Sequence, residues 1–192
     1  SVQAQLTVNN DPPNDSPIYL VNDILLGDGV QASNHVYQGD SIQIGFFDAS
    51  ASNLGLNSGI VMSTGDISIL DPNFVGFGDF INIDPPVSDP DLLDVANSVP
   101  ALIGQNFIVQ DINDVAVLEF DFVPSSDTVT FKYVFASQEY FAFENSQYND
   151  VFGFFISGPG IVGPYASPAA FPNGSINIAT IEDDNGVVMP VT

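Results

Sequence analysis

A near-absence of cations constrains this chain more than any other feature. Its 192 residues hold 24 Asp and Glu against a single Lys+Arg, which is Lys132, for a formal net charge of -23. Internal salt bridges can therefore neutralise almost none of the carboxylates. Each must stand in water, cap local backbone, or meet a cation from outside: sodium in a salty medium or a bound divalent ion. Only four of the acids are Glu, at positions 119, 139, 144 and 182, and the other 20 are Asp, usually beside Asn, Gly, Ser or Pro. Asp in that company marks turns, and it is also the kind of ligand that hard cations prefer.

The same charge excludes several partners. A polyanion repels phosphate backbones and anionic lipid, so neither nucleic acid nor polybasic membrane attachment fits. A disordered acidic tail does not fit either, because 45% of the residues are hydrophobic and 16 Phe and 6 Tyr supply one sizeable core. The length suits a single domain. With no Cys there is no disulfide framework, thiolate nucleophile or cysteine metal site, and export is neither required nor forbidden. No apolar run approaches 18 residues, so membrane insertion is not expected.

Along the chain, Asp15-Ser16-Pro17 followed by Ile18, Leu20, Val21, Ile24, Leu25 and Gly27 predicts one short helix, with Ser16 as N-cap, Pro17 in the first turn and Gly27 as the stop. The pattern then changes to period two. Residues 30–37 and 41–47 read as strands joined by a hairpin-like turn at Gln38-Gly39-Asp40, and residues 60–63 as another short strand. Residues 65–100 are rich in Asp, Pro and Gly and read as a long ordered loop with a helical turn at 89–95. Residues 116–123 and 128–135 alternate strongly, placing Leu118, Phe120 and Phe122 on one face and Glu119 and Asp121 on the other. Residues 151–156 read as an apolar strand, and residues 175–181 and 187–191 as a final hairpin. Short strands with Gly, Pro and Asp turns predict a mainly β chain: an antiparallel β-sandwich, jelly-roll-like, with one or two short helices.

Nothing in the pattern favours catalysis. With so many acids, any carboxylate pair is uninformative. His35 is the only histidine, so a Ser-His-Asp arrangement would have to use it, and its place in a strand near a turn suits a structural role better. Zinc would need several His or Cys. The segments Gly76-Phe77-Gly78 and Gly158-Pro159-Gly160 do not match a phosphate loop.

The constellation that stands out is the run from Ser137 to Asp150. It holds Glu139 and Glu144, half of the chain's Glu, and ends in Asn149-Asp150 just before the apolar Val151-Phe152-Gly153-Phe154-Phe155. Two Glu with an Asn-Asp pair can offer four or more oxygens to one Ca²⁺. The plainer alternative has Glu139 and Glu144 as surface residues and Asp150 capping the next strand.

Residues 117–160, from Val-Leu-Glu-Phe-Asp-Phe-Val through Tyr-Val-Phe-Ala-Ser-Gln-Glu-Tyr to Asn-Asp-Val-Phe-Gly-Phe-Phe-Ile-Ser-Gly-Pro-Gly, closely resemble the choice-of-anchor L domain family. Leu56-Asn57-Ser58-Gly59-Ile60-Val61-Met62-Ser63-Thr64-Gly65 and Asp89-Pro90-Asp91-Leu92 resemble its first half. The resemblance implies a secreted bacterial surface protein, with no enzymatic activity and no defined ligand. It also favours reading Ser1-Val2-Gln3-Ala4 as the remnant of a signal peptide, ahead of a single domain over residues 5–192; a frayed terminus is the alternative. Family domains resemble longer ones with further strands past the position of Thr192. Either more chain follows, or a strand from a neighbour completes the fold.

Three functions follow as expectations. The first is a non-enzymatic, calcium-stabilised module for adhesion or extracellular matrix formation, whose partners are calcium ions and other surface proteins. The second is a subunit that assembles with copies of itself into an extracellular filament or tube. The third is a calcium-dependent carbohydrate-binding module gripping glycans through aromatic side chains.

Overall fold

The computed structural model describes residues 5–72, 88–137, 150–182 and 184–191. These are mainly antiparallel strands in several small sheets, with two short α-helices. They pack as two compact units, Ser1–Ser88 with Asn113–Val134, and Asp89–Ile112 with Phe135–Thr192.

In the first unit, β1 (Gln5–Asn9), β3 (Ile44–Ala51) and β4 (Ser58–Met62) form an antiparallel sheet in the order β1-β3-β4. The central strand β3 buries Ile44, Phe47 and Ala49, and Leu20, Val21 and Ile67 are buried in the same unit. Gly45 is required there, because a Cβ on it would lie 2.5 Å from Ile67 Cδ1 and 2.7 Å from the Asn9 carbonyl oxygen. The predicted helix forms. Ser16 caps it by accepting from the Tyr19 amide at 3.4 Å, and Pro17 opens α1 (Pro17–Tyr19). It then widens into a π-helix over Leu20–Leu25, closed by a Leu26 amide that donates to the Val21 carbonyl at 3.0 Å.

The expected hairpin at Gln38-Gly39-Asp40 does not form. β2 (Gln31–Gln38) pairs instead with β5 (Val117–Val123), far along the chain, while β3 pairs with β1 and β4. The cause is a capping box. Asp40 accepts from the Ile42 amide at 3.1 Å, Gln43 Oε1 accepts from the Asp40 amide at 2.7 Å, and a 3-10 turn over Ser41–Gln43 redirects the chain. On β5 the predicted alternation holds, with Leu118, Phe120 and Phe122 partly covered and Glu119 and Asp121 exposed. Residues 128–135 alternate as a strand does, yet among the described residues they join no ladder. Their start is held locally, by Ser126 Oγ donating to the Thr128 carbonyl at 2.8 Å, and their apolar side is met by an edge contact of Phe131 with Phe122 at 6.3 Å. Alternation specifies which side is apolar; it does not specify the hydrogen-bonding partner.

The second unit is built on α2 (Pro90–Leu102), which runs past the single turn expected at 89–95. Asp89 caps it, accepting from the Leu92 amide at 2.9 Å, and Val95, Val99 and Pro100 are buried along one side. Asn97 binds the following segment through both ends of its amide, donating to the Val109 carbonyl at 3.1 Å and accepting from the Val109 amide at 2.9 Å. Within the apolar run 151–156, β6 (Phe155–Ile156) pairs with β7 (Ile176–Asn177), the Phe154 carbonyl accepts from the Ile178 amide at 2.8 Å, and Phe152 bridges to Val191. Gly163 lies against the backbone of Ser175, where no Cβ would fit. The final hairpin forms as expected from β8 (Thr180–Glu182) and β9 (Val188–Pro190).

Candidate functional site

Of the four predicted calcium ligands, Glu139, Glu144 and Asn149 lie outside the described residues. Asp150 is described. It is partly buried, and Ser137 Oγ donates to its Oδ2 at 2.5 Å. That bond joins the two residues that bracket the run, so it begins and ends at one place. Among the described residues, no three His, Asp or Glu side chains converge as a metal site.

Elsewhere the acids act as the turn chemistry predicts. Asp48 accepts from the Ser50 amide at 2.8 Å, Asp66 from Ser68 at 2.8 Å, and Asp91 takes the Ala166 amide on both oxygens at 3.0 and 3.1 Å. Asp121 accepts from Asn34 Nδ2 at 2.6 Å. The hydrogen bonds of Asp48 to Ser50 hold its carboxyl below the usual range, whereas burial pushes that of Asp114 up. Among the described residues no ammonium meets a carboxylate in a salt bridge.

His35 packs in parallel against the Phe120 ring at 6.4 Å, beside a bulge at Asn34, and its Nε2 is buried without a partner. It is a packed side chain. Tyr37, two residues on, donates its hydroxyl to the Asp40 carbonyl at 2.8 Å, and burial, reinforced by the Asp40 carboxylate, pushes its phenol well above the ordinary tyrosine range.

A groove of about 300 Å³ opens on the first unit and is lined by Thr7, Val8, Asn9, Asn14, Tyr19, Ile24, Phe46 and Asp48. Its floor follows from strand register: Thr7 pairs with Asp48 and Asn9 with Phe46, so the period of two puts all four on one face of β1 and β3. Asn9 Oδ1 is tied to the Asp11 amide at 2.6 Å, and Asp48 to Ser50 as above. The walls come from Asn14 and from the helix, through Tyr19 and Ile24. The sequence reading missed this groove, because its residues are split among a strand, a turn, a helix and a distant strand.

The family model described as the choice-of-anchor L domain matches residues 7–190. The chain belongs to the choice-of-anchor L domain family. Membership makes it a module of secreted or surface-anchored proteins. No helix of this choice-of-anchor L chain is long and apolar enough to cross a membrane, among the residues described. No curated protein and no solved structure matches it.

Proposed function

We propose that this choice-of-anchor L chain is a non-enzymatic, calcium-stabilised module serving adhesion or extracellular matrix formation, with Glu139, Glu144, Asn149 and Asp150 as the calcium ligands. The observation that carries the reading is the Ser137–Asp150 bond. It brings the two ends of the most Glu-rich stretch, Ser137 and Asp150, to one place, and Asp150 keeps a second carboxylate oxygen that an ion can take. A net charge of -23 with a single Lys supplies the driving force, since charge not neutralised from within must be met from outside. The packed, partly covered His35 suits a chain without acid-base chemistry.

Calorimetric titration of the full chain with CaCl₂ tests this. Saturable binding in the micromolar to millimolar range is expected, weakened about tenfold or more by Asp150→Asn or Glu144→Gln. A titration without heat, matched by equilibrium dialysis without calcium uptake, would remove the claim.

One observation favours assembly as a second reading. The β8–β9 ribbon exposes Ile181 by 52% and Val188 by 58%, and among the described residues it has no third strand, only the single bridge from Val191, just past β9, to Phe152. An exposed apolar edge of that kind is a template for strand addition by another copy once cations screen the acids. Light scattering that stays monomeric at high protein and calcium would sink it.

A further inference from the structure

We propose that the groove on β1 and β3 is a binding site for a single neutral sugar ring, through Asp48, Asn9, Asn14 and Thr7 as hydrogen-bonding groups and Tyr19 and Phe46 as apolar walls. The lining is what points to that chemistry. A sugar presents hydroxyls that both donate and accept at closely spaced points, above a ring whose C–H faces are apolar. The groove offers a carboxylate acceptor, two side-chain amides that both donate and accept, a hydroxyl and two aromatic side chains. Its volume of about 300 Å³ stands at the lower end for ligand sites and suits one ring.

Two of the polar groups are fixed before any ligand arrives. The Asp11 amide holds Asn9 by Oδ1, leaving its NH₂ to donate. The Ser50 amide holds Asp48 by Oδ1. Register places them on adjacent strands of one face as diagonal neighbours, because Asp48 pairs with Thr7 and Asn9 with Phe46; a donor and an acceptor about 7–8 Å apart suit hydroxyls on different sides of one ring, and fixing both beforehand reduces the ordering cost of binding. The helical wall carries a second sign: Ile24 belongs to the π-helix over Leu20–Leu25 and Tyr19 immediately precedes it, and π-turns recur at functional sites.

The lining also argues against other ligands. With Asp48 present and no cation, phosphate and carboxylate groups are repelled. One carboxylate is too few to hold a hard cation. It is also too few to cleave a glycosidic bond, which takes two flanking the scissile oxygen. The site therefore binds its sugar without hydrolysing it. It uses none of the four calcium ligands, so it is independent of the calcium reading and can fail separately from it.

The test is saturation-transfer NMR on the full chain with methyl glycosides of glucose, galactose, mannose and N-acetylglucosamine, in calcium and again in EGTA, with putrescine as a cationic control. At least one glycoside is expected to bind with a millimolar Kd, equally in both buffers, and Asp48→Asn is expected to weaken it about tenfold or more while circular dichroism stays unchanged. Asn14→Ala, outside the strands, repeats the measurement if the first variant misfolds. An oligosaccharide ending in the same sugar that binds at least as well identifies a glycan terminus as the ligand; weaker binding identifies the free sugar. No transfer to any glycoside, binding only with calcium, binding of putrescine alone, or binding untouched by both substitutions would each overturn the proposal.

Discussion

Gln43 is wholly buried, yet each polar atom of its side chain has a partner. Oε1 accepts from the Asp40 amide at 2.7 Å, and Nε2 donates to the carbonyls of Thr64 at 3.2 Å and Asp114 at 2.8 Å. One amide thus pins a turn and two distant segments. Gln43→Ala leaves three backbone groups unpaired besides opening a cavity, for a loss of about 2 to 4 kcal/mol in urea unfolding. A loss under about 1 kcal/mol would mean that water replaces the amide readily. Tyr37 gives a pH signature. Its folded phenol keeps its proton to higher pH than the unfolded one, so its contribution is complete below about pH 10 and declines as pH rises toward the folded value. Melting temperature should therefore fall along the alkaline limb more steeply in the native chain than in Tyr37→Phe; parallel limbs would contradict this. At this scale the sequence was readable where chemistry is local. Asp beside Gly or Pro became a cap at residues 66 and 89. The Asp40-Ser41-Ile42-Gln43 capping box was equally open to reading, but the alternation on either side of it suggested a hairpin.

Among the elements, those with their own start signal were readable and those defined by a partner were not. Ser16-Pro17 and Asp89-Pro90 each open a helix where a cap and an N-terminal proline predict one. The length of α2 was hidden because Pro100 within it resembles a stop. Strand pairing was the least legible. β2 and β5 lie some eighty residues apart, as their pairing of Gln38 with Val117 shows, and no local pattern records that choice. The groove is hidden for the same reason, since it exists only once β1 has paired with β3. Asp89→Ala tests the helix start: removing the bond to the Leu92 amide and the charge at the N-terminus is expected to cost about 1 kcal/mol and to lower the melting temperature, with Asp89→Ser restoring most of it. An Ala variant as stable as the native chain would show that packing by Val95 and Val99 alone fixes α2.

For the whole molecule, the single Lys is the feature to which everything returns. The carboxylates of Asp40, Asp48, Asp66, Asp89 and Asp150 are held by amides or a hydroxyl, which orient them but leave their charge in place, so folding concentrates negative charge. Added salt should stabilise the chain by screening. Beyond that general effect, a calcium site acts by binding the folded state alone, raising stability in proportion to the logarithm of ion concentration above its Kd. Thermal unfolding at matched ionic strength separates the two most directly. The melting temperature should rise with CaCl₂, return to its starting value on excess EGTA, and hardly respond to calcium in Asp150→Asn; superimposable melts in calcium, EGTA and NaCl would contradict a calcium site.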